Sequence, residues 1–313
     1  MNTPMRALEV LATGPLALVQ DLARPGLAAL GVSRSGAADR RSFELGARLL
    51  AQDYTAAGIE VTFGGLAVRA QADVMLALTG APAPATVDGI EVAHLAPFVL
   101  RDGQTLRLAV PHVGLRTYLS VRGGVDVPAV LGSRATDVLS GLGPDPLKVG
   151  DVLAVEPPPA RFPNVDVAPV RALTDGPIGI RALLGPRADW LADPRLLATT
   201  PWTVSSHSDR VGIRLEGPAL RRHESRLGQE LLSEGVVRGS IQEGVDVRRL
   251  APPRAATASA ATRVMIAPTV RQAIRSSSQT LGLAVATASH ATVSSNVLVP
   301  LRRHPQVRPL HSV

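Results

Sequence analysis

Short β-prone runs, each cut off by turn-forming residues, succeed one another along the first half of this chain: ALEVLAT, AGIEVTFGGLAVRA, DVMLALTG, PFVLRDGQTLRLAV, GLRTYLSVRGGV and DVLAVE. Apolar, β-branched runs bounded by Gly, Pro and Asp read as strands. Asp88-Gly89 in TVDGIEV and Asp102-Gly103 in LRDGQTLRL predict two-residue hairpins, because such turns need a positive φ that Gly adopts without strain. One helix is predicted, in AADRRSFELGARLL, where Asp39 can cap the N-terminus and Phe43, Ala47 and Leu50 share a face. Many short strands with few helices predict a mainly β protein of barrels or a sandwich rather than a βαβ sheet.

The chain's aromatic residues are four Phe, two Trp and two Tyr, so the core must be built from Val, Leu, Ile and Ala. The expected organisation is an N-terminal β lobe over 1–155, a Pro-rich linker over 156–177 and a second, incomplete β lobe over 178–242. The linker assignment rests on EPPPARFPNVDVAPVRALTDGP, which is dense in proline and without period. After Gln242 the character changes. Residues 243–313 contain no aromatic and run as Ala, Ser, Thr, Arg and Pro, the composition of a largely disordered tail.

That tail also holds the whole formal excess of +7, with nine arginines against Glu243 and Asp246, while residues 1–242 carry 24 basic and 24 acidic groups. A neutral body with the single lysine Lys148 lacks the basic face that a nucleic-acid groove needs, so no nucleic acid is expected as partner. Cysteine is absent, which excludes thiolate catalysis, disulfides and Cys-ligated zinc. The seven histidines show no H-E-x-x-H or paired spacing, and no metal is expected. The sequence contains no G-x-x-x-x-G-K-[ST] loop, no Met-Lys-Met biotin attachment site, no G-x-S-x-G and no S-x-x-K. MNTPMRALEV lacks a signal-peptide pattern and no run approaches the ~20 apolar residues that span a bilayer, so a cytoplasmic protein without membrane contact is expected.

Four segments carry candidate chemistry. In VQDLARPGLAALGVSRSGAAD, over 19–39, Asp21, Arg24, Ser35 and Asp39 stand on bends made by Gly and Pro, beside backbone N–H groups free to meet an oxyanion. In TYLSVRGGVDVPAVLGSRATD, Arg122 precedes Gly123-Gly124, and Arg134 follows. SHSDRVGIRLEGPAL has Asp209 and Arg210, and SEGVVRGSIQ has Glu234 before a glycine. Arg or Asp beside Gly at strand ends suits a pocket for a small carboxylate or amide, since Arg grips a carboxylate with two parallel hydrogen bonds. Each of these groups reads equally as a structural ion pair or a loop clamp, and Asp39 and its neighbours as ordinary turn chemistry.

In this order, VQDLARPG, SGAAD, GIEVTFGG, ALTGA, YLSVRGG with DVPAVLGSRATD, LKVGDVL, SDRVGIRLEGP and SEGVVRGSIQ resemble the biotin-dependent carboxyltransferase family, also called the KipI-antagonist or allophanate hydrolase subunit 2 family. The resemblance covers about residues 7–242. It implies two cyclophilin-like β-barrel lobes and an obligatory complex with the KipI-like B-type and the A-type subunits of 5-oxoprolinase, in which ATP is used to open 5-oxoproline to glutamate. It further implies that this chain binds no cofactor alone, that Asp21, Arg24, Ser35, Asp39 and Glu234 serve catalysis, and that Arg122, Gly123, Gly124, Arg134, Asp209 and Arg210 bind a small amide substrate. Relatives named for antagonising KipI imply the alternative of a regulator that binds without turnover.

Two departures stand out. Where relatives carry Gly-Asn after the first helix, this chain reads Ala51-Gln52-Asp53-Tyr54, expected to alter only a turn. Beyond Gln242, relatives continue with a D-x-x-T-G-G-Y segment and closing strands that this chain never supplies, so its last lobe is expected to have unpaired edges. A GC-rich gene read out of frame yields such a composition, and a shifted frame after codon 242 is expected, with a divergent disordered tail as the alternative.

Overall fold

The computed structural model describes residues 6–171, 173, 178–206, 208–210, 212–232, 239–244 and the strand segments 262–266, 280–281, 283–285 and 301–303. It divides into two compact units, the first spanning Met1–Thr174 and the second beginning at Asp175.

The first unit contains β1 (Ala7–Thr13), β2 (Leu16–Gln20), α1 (Arg40–Leu49), β3 (Gly58–Thr62), β4 (Leu66–Ala70), β5 (Val74–Gly80), β6 (Ala85–Val87), β7 (Ile90–Glu91), β8 (Pro97–Leu100), β9 (Thr105–Leu108), β10 (Arg116–Val121), β11 (Val125–Asp126) and β12 (Val152–Val155). A seven-stranded sheet runs β11-β12-β1-β4-β9-β6-β7 and a five-stranded sheet runs β2-β3-β10-β5-β8. All their pairings are antiparallel. One core lies between them, formed by alternate residues such as Leu8, Val10 and Val68 of one sheet and Ile59, Val61, Leu76, Leu78 and Leu119 of the other. The small aliphatic side chains demanded by the scarcity of aromatics fill it.

β10 is buried along its whole length because it is covered on both faces. Thr117, Leu119 and Val121 are spaced to face the core, and Tyr118 and Ser120 meet α1, where Phe43 stacks edge-on against Tyr118 at 5.9 Å. Asp39 caps α1, as its sequence position predicts: its carboxylate accepts from the Ser42 N–H at 3.2 Å and the Ser42 hydroxyl at 2.6 Å. At the other end, Ala51 N–H donates to Arg48 O and Gln52 N–H to Ala47 O, both at 3.1 Å, a Schellman closure. Its left-handed position is held by Ala51, at φ 50°, where glycine is the unstrained choice.

The Asp88-Gly89 hairpin forms as expected, with both residues at positive φ and Val87 paired with Ile90. Asp102-Gly103 is a correction: only Gly103 has positive φ, so the turn is type II, and it passes the chain from β8 in one sheet to β9 in the other. The Pro-rich stretch expected as a linker runs along the first unit. Arg122 Nη2 donates to Pro159 O at 2.9 Å and Arg161 O at 2.5 Å, and Ala168 N–H donates to Leu95 O at 2.8 Å.

The second unit contains β13 (Ile178–Ala182), α2 (Leu196–Thr199), β14 (Trp202–Val204), β15 (Ile213–Gly217), β16 (Ile241–Gly244), β17 (Thr262–Ile266), β18 (Thr280–Leu281), β19 (Leu283–Val285) and β20 (Leu301–Arg303). Its sheets run β16-β17-β15-β14-β18 and β19-β13-β20. Buried Trp202 packs on Gly217 and donates from its indole N–H to Leu197 O at 3.2 Å. The unpaired edges expected here are occupied: β17 lies beside β15 and β18 beside β14. Apart from these short strands, the tail expected to be disordered falls outside the described residues.

Candidate functional site

The glycine-rich loop of residues 20–39 is folded onto residues 130–143 of the same unit by buried polar groups. Arg24 is 2 % exposed; its Nη1 donates to Ser35 Oγ at 2.7 Å, and Nη2 and Nε donate to the carbonyls of Ala135 at 2.7 Å, Val130 at 3.3 Å and Ser133 at 3.5 Å. Asp21 accepts from Ala23 N–H at 2.8 Å, the Ser133 hydroxyl at 2.7 Å and Arg134 N–H at 2.7 Å. Gly36 is required because a methyl group there would stand 2.5 Å from Ala23 Cβ. Asp137, which closes the SRATD run, accepts from the hydroxyls of Ser33 and Ser140 and from the N–H groups of Leu139 and Ser140. Burial works to raise its pKa, but those bonds outweigh it and hold the carboxyl below its usual range. Asp21, Arg24 and Ser35 therefore lie in one cluster, and the bonds they make hold two loops together.

Asp39 sits above a second buried cluster, one that sequence reading missed. Glu60, 1 % exposed, accepts from Ala38 N–H at 2.8 Å and Tyr118 O–H at 3.0 Å and pairs with Arg116 at 3.3 Å. The Tyr118 oxygen in turn accepts from Asp39 N–H at 2.7 Å. Burial first, then the Glu60 charge, push the Tyr118 pKa well above its ordinary value, so it stays a donor. Alternation along β3 and β10 places these groups on the helix side of the sheet, a long-range coincidence invisible in local sequence.

Arg122, Gly123, Gly124 and Arg134 converge elsewhere on the first unit. A depression of about 200 Å³ is lined by Gln52, Thr55, Gly123, Arg134, Glu156 and Pro159 among others. Gly123 has φ 107°, its N–H donates to Gln52 Oε1 at 2.8 Å, and a methyl group on it would overlap the Glu156 carbonyl. Arg134 Nη2 pairs with Glu156 Oε1 at 2.6 Å, and its Nε donates to Val127 O at 2.9 Å. The buried Arg122 guanidinium holds the proline strap that walls one side, with Phe162 stacked 5.2 Å from it. Gln52, from the segment expected to alter only a turn, is thus part of the lining.

In the second unit, Asp209 closes the turn before β15, accepting from Gly212 N–H at 3.0 Å, and lies 3.7 Å from Arg214. Arg210 is half-buried in the same turn. Glu234 lies outside the described residues.

Residues 30–246 match the family described as carboxyltransferase domain, subdomain A and B. The chain belongs to this carboxyltransferase-domain family. It is 36 % identical over 240 residues to the C-type subunit of 5-oxoprolinase of Escherichia coli (strain K12), covering 75 % of this chain and 76 % of that protein. It is 32 % identical over 240 residues to urea amidolyase of Saccharomyces cerevisiae, covering 71 % of this chain but only 13 % of that protein. The crystal structure of the K. lactis urea amidolyase superposes with a TM-score of 0.64 at 29 % identity, covering 71 % of this chain and 14 % of that one. Carboxyltransferase-domain relatives are thus found both as separate subunits and as a fraction of a far longer polypeptide. No helix among the described residues is long and apolar enough to cross a membrane.

Proposed function

We propose that this chain is the C-type subunit of an ATP-dependent 5-oxoprolinase, which opens the lactam of 5-oxoproline to L-glutamate in a complex with the KipI-like B-type and the A-type subunits in the cytoplasm. The observation that carries this reading is the 36 % identity to a protein named as the C-type subunit of 5-oxoprolinase over about three quarters of both chains. The sequence has no P-loop and no carrier lysine, so ATP and part of the catalytic machinery would come from the partner chains. A small depression with polar and apolar lining and the Gln52–Gly123 hydrogen bond is in keeping with a small amide substrate. In this reading the loops held by Asp21 and Arg24 order the surface that meets the partners, and Arg122, Gly123 and Arg134 shape the substrate side.

The test is assay of the purified chain alone and with both partner subunits. Alone it should show neither 5-oxoproline-dependent ATP hydrolysis nor glutamate release, and the reconstituted mixture should show both. Robust turnover by the isolated chain overturns the assignment.

A further inference from the structure

We infer that the depression beside Gly123 seats the edge of a neutral amide, with Gln52 donating to the ligand's carbonyl oxygen and Glu156 accepting from its N–H. The chemistry is set by hydrogen bonds already made. Gln52 Oε1 accepts from Gly123 N–H at 2.8 Å, and because only the oxygen of a carboxamide can accept, the amide orientation is fixed with Nε2 as the remaining donor. Among the described residues Nε2 has no partner. Also in the lining, Glu156 Oε1 is held by Arg134 Nη2 at 2.6 Å, which leaves Oε2 as an acceptor without a protein donor among the described residues. Glu156 itself is fixed beside Gly123, since its N–H donates to Gly124 O at 3.0 Å and its carbonyl lies against the Gly123 Cα.

A donor on Gln52 and an acceptor on Glu156, both lining the depression, are the complementary groups that the N–H and C=O edge of a lactam or a urea needs, whereas a carboxylate only accepts. Charge points the same way. The lining holds one cation, Arg134, against the two anions Glu156 and Asp53. A carboxylate entering it would meet repulsion, so in 5-oxoproline the lactam edge enters and the carboxylate stays at the rim. The strap of Pro157 and Pro159 forms the wall nearest Glu156, fixed from behind by Arg122.

The choice of a lactam rests on the 5-oxoprolinase reading, and the experiment separates the two. The full chain is titrated with 2-pyrrolidinone, which has the amide edge and no carboxylate, and with cyclopentanone, which lacks the N–H, while the Gly123 backbone and Gln52 side-chain amide resonances are followed. The lactam should shift both resonances and the ketone should bind at least tenfold more weakly. Gln52→Glu keeps the oxygen that accepts from Gly123 but replaces the donor with an acceptor, so it should weaken lactam binding at least tenfold while the Gly123 resonance keeps its dispersed position. Absence of lactam-induced shifts at Gly123 and Gln52, or unchanged lactam affinity in Gln52→Glu, overturns the site. In the reconstituted complex, a Gln52→Glu variant with wild-type KM overturns the site but leaves the 5-oxoprolinase reading standing. A wild-type complex inert toward 5-oxoproline, with the lactam still seated at Gly123, overturns that reading and upholds the site.

Discussion

Arg24 is a full charge, 2 % exposed, that meets no carboxylate within ion-pair distance among the described residues and is satisfied by carbonyls and one hydroxyl. Such a group is a clamp before it is a catalyst. Arg24→Ala should lower unfolding free energy by roughly 3 kcal/mol, the scale of leaving several buried carbonyls unpaired, and urea denaturation reads it directly. Loss of turnover in the assembled enzyme with an unchanged denaturation midpoint would return Arg24 to a catalytic role. Asp137 gives the pH counterpart. Its folded pKa lies below that of a free carboxyl, so its contribution to stability is complete above about pH 4 and is lost as pH falls through the folded value. Asp137→Asn should be less stable than the wild type near neutrality and show a flatter acid limb in a pH series of melting curves. Ala51 is the converse case, a side chain in a left-handed position that costs about 1 kcal/mol. Ala51→Gly should raise the denaturation midpoint, since it relieves that strain and keeps both Schellman bonds.

The element α1 was legible in sequence because its information is local: a capping Asp39, an apolar face at Phe43, Ala47 and Leu50, and a turn after it. The same holds for the Asp88-Gly89 hairpin. Asp102-Gly103 misled because the dipeptide fixes a bend without saying which strands it joins; β8 and β9 pair with different neighbours through long-range contacts. What α1 demands of the sheet was equally hidden. Gly46 lies where an added methyl would strike Ser120 Oγ and stand 3.0 Å from Ser120 Cβ. Gly46→Ala should therefore destabilise the protein, although in an isolated helix the change is worth about 1 kcal/mol in favour of Ala. A higher melting temperature in that variant would mean α1 packs less closely than its Phe43–Tyr118 contact indicates.

For the whole molecule, segment order identified the family, while the geometry of the candidate site escaped because its partners lie far apart in sequence. Gln52 and Gly123 are 71 positions apart, and Gln52 stood in a segment dismissed as a turn. Glu60 and Tyr118 met only once β3 and β10 were paired. The family match ends at residue 246, close to where composition changes after Gln242. Translation of the coding DNA beyond codon 242 in the other two frames is expected to yield a D-x-x-T-G-G-Y-like segment; its absence from both would make the tail a genuine product of this gene. The central claim is that this chain is a necessary part of a lactam-opening complex, and an omission experiment tests it most directly. Glutamate release from 5-oxoproline is measured with ATP and the A-type and B-type partners, with and without this chain. Release that appears only when the chain is added is the predicted result. Equal release without it, or release that falls when it is added, would contradict the claim, the latter in favour of a regulator that binds its partner without turnover.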